Sequence, residues 1–191
     1  MHDIFTGAGV FVYPLGLFSF LAAYVIIERC LALRTSRVMP KEVVDAIISG
    51  AVEKVGEEGG QTSVLGRIVY FCRKTNPDPE TLKAFARLEI ARLERGLFIL
   101  EIVIAGAPLL GLLGTITGLA QVFSAQVGGG GLPDKAAFIK GISLALSTTM
   151  VGLCIAIPAI VGNSYLHRRL DLLATRLDMG VERLINLGKR R

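Results

Sequence analysis

GAPLLGLLGTITGLAQVF, residues 106–123, is apolar enough to lie in lipid, yet it holds four glycines, a proline and two threonines. It sits inside an uncharged run of 32 residues, 102–133. Roughly 20 apolar residues cross the hydrocarbon core of a bilayer, so the run is read as a membrane-spanning helix. Lipid gives two apolar helices no hydrophobic reason to associate, whereas small residues let their backbones touch. The glycines therefore predict a face on which another helix packs closely.

Two further runs lack charge over a spanning length, residues 4–27 (24 residues) and 141–166 (26 residues). The whole chain of 191 residues is 52% hydrophobic and 19% charged, a balance unlike that of a water-soluble domain. We expect three transmembrane helices. The first run is too long for a secretory signal, starts without basic residues (MHDIF) and closes on Glu28-Arg29, so it is expected to stay as an uncleaved span.

Charge sets the expected orientation. Of 21 Lys and Arg, 11 lie in residues 34–95 and seven follow His167, whereas only Lys135 and Lys140 lie between the second and third runs. The positive-inside rule puts the N-terminus outside and the C-terminus in the cytoplasm. The net charge of +5 follows from this asymmetry and calls for no nucleic acid, although His167-Arg168-Arg169 is placed to meet lipid headgroups. Cys30, Cys72 and Cys154 are scattered and fall in membrane or cytoplasm, so neither a disulfide nor a metal site is expected.

The expected order is therefore an external N-terminus with the first span (1–33), a cytoplasmic helical region (34–97), the second span (98–126), a short external loop (127–140), the third span (141–166) and a cytoplasmic C-terminal helix (167–191). Within the cytoplasmic region PKEVVDAIISGAVEKV reads as an amphipathic helix from Pro40 to GEEGG, and SVLGRIVYFCRK as another. In NPDPE, Asp78 can cap and Pro79 fits the first helical position. From there one helix of about 70 Å is expected to run through the second span, kinked at Pro108. VGGGGLPD has no following Lys-Ser or Lys-Thr, so it reads as a turn and not a phosphate loop. After the third span Leu170, Leu173, Leu177, Val181 and Leu184 recur at helical spacing, an amphipathic tail that packs on the helix entering the second span or lies on the membrane surface.

On a helical wheel Ala107, Gly111, Gly114 and Gly118 form one stripe of the second span, with Ala125 a heptad further on. Thr115 falls about 40° from Gly111, on the packed side, and Thr117 about 120° the other way, where it is expected to bond its own helix. In the third span Gly141, Ala145, Thr148, Gly152 and Ala156 share a side with Thr149 on its flank, Ser143, Ser147 and Cys154 mark another, and Pro158 is expected to bend the helix. The uncharged runs 4–27, 102–133 and 141–166 contain no Asp, Glu, His, Lys or Arg, and Glu28 and Glu101 fall at the cytoplasmic ends of their helices. A hydroxyl cannot store a proton at neutral pH, so any proton handling needs a titratable group from another chain.

YPLGLFSFLAAYVIIER (13–29), APLLGLLGTITGL (107–119) and GISLALSTTMVGLCIAIPA (141–159), in this order and topology, resemble the MotA/TolQ/ExbB proton channel family, most of all its ExbB branch. The resemblance covers nearly the whole chain. It implies an all-α integral membrane protein whose helices extend into the cytoplasm and which assembles as a homopentameric ring in a bacterial inner membrane, N-terminus periplasmic. It further implies a partner like ExbD or TolR, a single-span subunit supplying a membrane aspartate, and a TonB-like or other periplasmic transducer. By motif alignment Thr115 and Thr149 match the pore threonines of the family, with Thr148 and Ser147 as second candidates; Gly111, Gly114, Gly118, Gly141 and Gly152 serve helix packing. The implied function is a subunit of a motor driven by the proton-motive force that energises transport or work at the outer membrane.

One departure stands out: several members carry glutamate in GIAEAL where this chain has Leu144 in GISLAL. A TolQ-like subunit for envelope integrity and division is the alternative within the family, and a non-conducting membrane scaffold the alternative outside it. No nucleophile and base pair, cofactor motif or metal cluster suggests an enzyme.

Overall fold

The computed structural model describes residues 11–50, 63–127 and 135–188, and the described residues are α-helical with short connections. The helices are α1 (Val12–Ala32), α2 (Thr35–Val38), α3 (Lys41–Ser49), α4 (Val64–Thr75), α5 (Pro79–Glu94), α6 (Leu97–Val127) and α7 (Lys135–Gly188). Three of them, α1, α6 and α7, are long and apolar enough to cross a membrane. VGGGGLPD beyond Val127, the stretch from Ala51 to Thr62 with GEEGG, and the side chains of Ala125 and Leu144 lie outside the described residues.

Local chemistry accounts for most of the ends. α3 stops where Gly50 turns left-handed at φ 73°, short of the expected extension toward GEEGG. Ser63 accepts the Gly66 N–H at 3.0 Å to start α4, and Asn76, left-handed at φ 40°, closes it. Asp78 accepts the Thr81 N–H at 3.1 Å, with Pro79 in the first turn as expected. α6 continues through Pro108 and α7 through Pro158. The expected boundaries at 140/141 and 166/167 both fall within α7, a single helix of 54 residues.

One expectation needs correction: Pro79 does not begin an unbroken helix into the second span. The helix is interrupted at Arg95–Gly96. At the break Arg29 Nη1 donates to the Leu93 carbonyl at 3.2 Å, the oxygen a continuous helix would offer to Leu97. The Arg29 guanidinium lies against Gly96, where a β-carbon would overlap it. Its Nε also lies 2.8 Å from the Glu28 carboxylate, an ion pair by distance that lacks hydrogen-bond alignment.

The described residues divide into two compact units, one drawn from residues 11–26 and 98–163 and the other from residues 27–97 and 164–188. The second, charged unit has an aliphatic core. Val43 and Ile47 of α3, Val64, Leu65, Ile68 and Val69 of α4, and Leu82 and Ala86 of α5 are buried. So are Leu170, Leu173, Leu177, Val181 and Leu184 of α7, the stripe expected from spacing, each worth roughly 1.5–3 kcal/mol on burial. The stripe is thus covered by protein and is not left to a membrane surface. Other residues of the tail touch the end of α3, α4 and α5: Gly180 lies beside Leu65, Leu187 beside Gly50, and Glu182 is 3.9 Å from Lys83. Phe71 and Phe85 stack at 4.2 Å where α4 meets α5. Among these apolar groups Glu89 is fully buried, its carboxylate held by Arg67 at 2.6 and 2.9 Å and by Arg92 at 2.5 Å. The ion pairs compensate a carboxylate that could not be buried alone.

Candidate functional site

The apolar unit contains the two small-residue faces, and they meet. Ala107, Gly111, Gly114 and Thr115 of α6 are buried, as are Ala145, Thr148, Gly152 and Ala156 of α7. A β-carbon on Gly152 would stand 2.5 Å from the Ala107 carbonyl oxygen, and one on Gly111 would stand 2.9 Å from both the Thr148 carbonyl oxygen and Thr149 Cα. Such distances leave room only for hydrogen, so the two backbones are in direct contact at these glycines. Gly114 faces the Thr148 hydroxyl, Gly118 faces Ala145, and Gly141 faces Val122.

The hydroxyls are ordered by that contact. Thr148 Oγ1 lies 3.1 Å from the Gly111 carbonyl oxygen across the interface and 2.7 Å from the Ala145 oxygen of its own helix, so its single proton is shared between two acceptors. Thr149 Oγ1 donates to the same Gly111 oxygen at 3.0 Å. Thr115, only 8% exposed, donates back to Leu112 at 2.6 Å. Thr117 bonds Leu113 and Gly114 of its own helix, as expected from its side of the wheel. Ser147 donates to Ser143, also on its own helix. The structure therefore joins Thr148 and Thr149 on one carbonyl, sets Thr115 on the buried face of α6, and keeps Ser147 apart.

Sequence reasoning did not single out the Gly111 carbonyl, which accepts from both threonines. The signal was present in two adjacent threonines and a glycine-rich partner helix, but spacing along one helix does not say which carbonyl of another comes within reach. The stripes drawn from spacing also left out Gly106 and Gly162, where Phe18 and Ile26 of α1 lie against the two helices. Polar groups outside the spans behave differently: burial pushes the Cys72 thiol up, and hydrogen bonds from Thr81 hold the Asp78 carboxyl below the ordinary range. No group of His, Cys, Asp and Glu suited to a metal occurs among the described residues.

Fold and site define a helical membrane protein whose second and third spans interlock through glycine, with the hydroxyl-bearing Thr115 and Thr148 as buried polar residues at that contact. Residues 42–179 match the MotA/TolQ/ExbB proton channel family. An ExbB-like biopolymer transport protein of Synechocystis is 37% identical over 171 residues, covering 83% of this chain and 67% of that protein. The biopolymer transport protein ExbB of Helicobacter pylori is 31% identical over 143 residues, covering 74% of this chain and 93% of its own. A homologue of ExbB from Methanothermobacter thermautotrophicus is 28% identical over 200 residues. The chain belongs to the MotA/TolQ/ExbB proton channel family, and within it is most like ExbB.

Proposed function

We propose that this chain is the ring-forming subunit of a motor in the bacterial inner membrane, driven by the proton-motive force. The cytoplasmic region and tail face inward, and a single-span partner like ExbD or TolR occupies the ring. The observation that carries this reading is the hydroxyl cluster at Gly111, which lies within the uncharged stretches 102–133 and 141–166. Thr115, Thr148 and Thr149 donate their protons to carbonyls, so each oxygen keeps lone pairs that accept. Such a wall favours water or a neutral carboxylic acid as donor over a carboxylate, raising the cost of a charged aspartate in lipid. A partner aspartate that protonates on one side and releases on the other would pass Thr115 and Thr149 as its polar rungs. Each proton crossing 100 mV provides roughly 2.3 kcal/mol for conformational work.

Proton flux in vesicles holding the assembled complex tests the assignment. Thr149→Val and Thr115→Val should suppress flux with assembly intact, and Thr149→Ser should retain it. Unchanged flux in both valine variants would leave the glycine interlock as the sole role of this face and favour the non-conducting scaffold. The ExbB likeness supports a periplasmic transducer of the TonB kind and work at the outer membrane as part of this proposal; a TolQ-like role in envelope integrity would instead show as a division defect on deletion.

A further inference from the structure

The buried stripe of the α7 tail leaves its opposite face exposed, and that face is patterned. Leu172 and Met179, one heptad apart, are 55% and 60% exposed. Asp171 and Asp178 stand on one edge and Arg176 and Arg183 on the other, each pair again seven residues apart and all four exposed. At 100° per residue the arginines fall about 20–40° to one side of Leu172 and the aspartates about 100–120° to the other. Arg183 Nη2 also donates to the Ile48 carbonyl at 3.0 Å. Arg176, Met179 and Arg183 line a cavity of about 420 Å³ with Lys41 and Ile48, and Asp45 is the one carboxylate in its lining.

Each aspartate precedes an arginine by five residues, Asp171 to Arg176 and Asp178 to Arg183. This is the offset at which flanking positions of two parallel helices face each other across an apolar seam. An antiparallel pair would bring aspartate to aspartate and arginine to arginine. The face is therefore complementary to itself in one direction, and copies inserted into one membrane share that direction. We propose that residues 171–183 of α7 pair in parallel with the same segment of a second copy of this chain. Leu172 and Met179 lie at the seam, and the acidic edge of one copy meets the basic edge of the next. The proposal rests on the oligomeric reading above and names the surface that orients it. Thr175 and Glu182 also fall on the seam, so the pairing is weak between free tails and needs copies held together in the membrane.

The test uses the full chain in native membranes, with Cys30, Cys72 and Cys154 changed to serine and Met179→Cys added. A bismaleimide with a reach of about one helix diameter, ~10 Å, should link copies covalently. Asp171→Arg with Asp178→Arg should lower the linked yield at least ~5-fold. Adding Arg176→Asp and Arg183→Asp to that chain should restore it, which damage to folding would not allow. Native mass of the extracted complex is read in parallel. An oligomer that does not link at residue 179, or whose linking ignores reversal of the acidic edge, overturns the proposal and leaves the ring standing. A monomer by native mass overturns the ring and the proposal together.

Discussion

Between α6 and α7 of the apolar unit the closest approaches run through Gly111, Gly152, Ala107 and Thr148, whereas the charged unit is filled by leucine, isoleucine and valine around a buried Glu89. The difference follows from the surroundings each unit is built for. In water, burying a leucine is itself favourable, so bulky side chains hold α3, α4, α5 and the α7 tail together. In lipid a leucine gains little by leaving one apolar phase for another, so Leu109, Leu112, Ile116 and Ile157 stay exposed while small residues carry backbone contact and a shared carbonyl. Polar groups divide the same way. The charged unit can bury a carboxylate because two arginines reach it; in the apolar unit the buried polar residues Thr115 and Thr148 carry hydroxyls that donate to carbonyls.

The strongest test of this contrast is Gly152→Leu. Backbone stands 2.5 Å from the β-carbon position, with nothing flexible to yield, so a loss of about 3 kcal/mol or more is expected. It should be read as lost thermal stability of the detergent-extracted chain. Gly180→Leu, beside the flexible Leu65 in the charged unit, should cost clearly less; equal costs would remove the distinction.

Next in size is Glu89→Ala. Breaking a fully buried pair typically costs several kcal/mol, but the Arg67 and Arg92 side chains are 38% and 55% exposed and can turn to water. About 2 kcal/mol is therefore expected in denaturant melts. Thr148→Val removes one of the two hydroxyl bonds that reach Gly111 across the interface and should cost about 1 kcal/mol, near the usual worth of a hydroxyl between membrane helices. A cost as large as that of Gly152→Leu would mean that hydroxyls, and not close approach, hold the spans.

The smallest effect is at the α5 start. Thr81 lowers the Asp78 pKa, so the cap contributes fully above the ordinary carboxylate range and is lost as pH falls through the lowered value. Asp78→Asn should keep the cap and remove that acid-side decline in α5 helicity, followed by circular dichroism between neutral and acidic pH. A decline that persists in Asp78→Asn would assign it to other carboxylates.

Much of this was legible in the chain before any coordinates. Uncharged runs of spanning length mark the three long helices because lipid tolerates little else, and Asp78-Pro79 marks α5 because a cap is local chemistry. The spacing of Leu170, Leu173, Leu177, Val181 and Leu184 named the buried side of the tail, and the small-residue stripes named the faces of α6 and α7 that touch. Periodicity reports which side of one helix is special, and each of these is a property of one helix.

What only the tertiary structure decided are meetings between distant residues. Arg29 reaches Leu93 across 64 positions and takes up a carbonyl where the helix breaks at Arg95–Gly96. Thr148 and Thr149 reach the Gly111 carbonyl across 37 and 38 positions, so both hydroxyls tie the two spans. Glu89, one carboxylate of an outwardly ordinary helix, becomes the polar centre of a core because Arg67 of α4 arrives beside it. A side chain's own pattern fixes the direction it faces; the partner it finds there depends on how separate helices come to rest against one another.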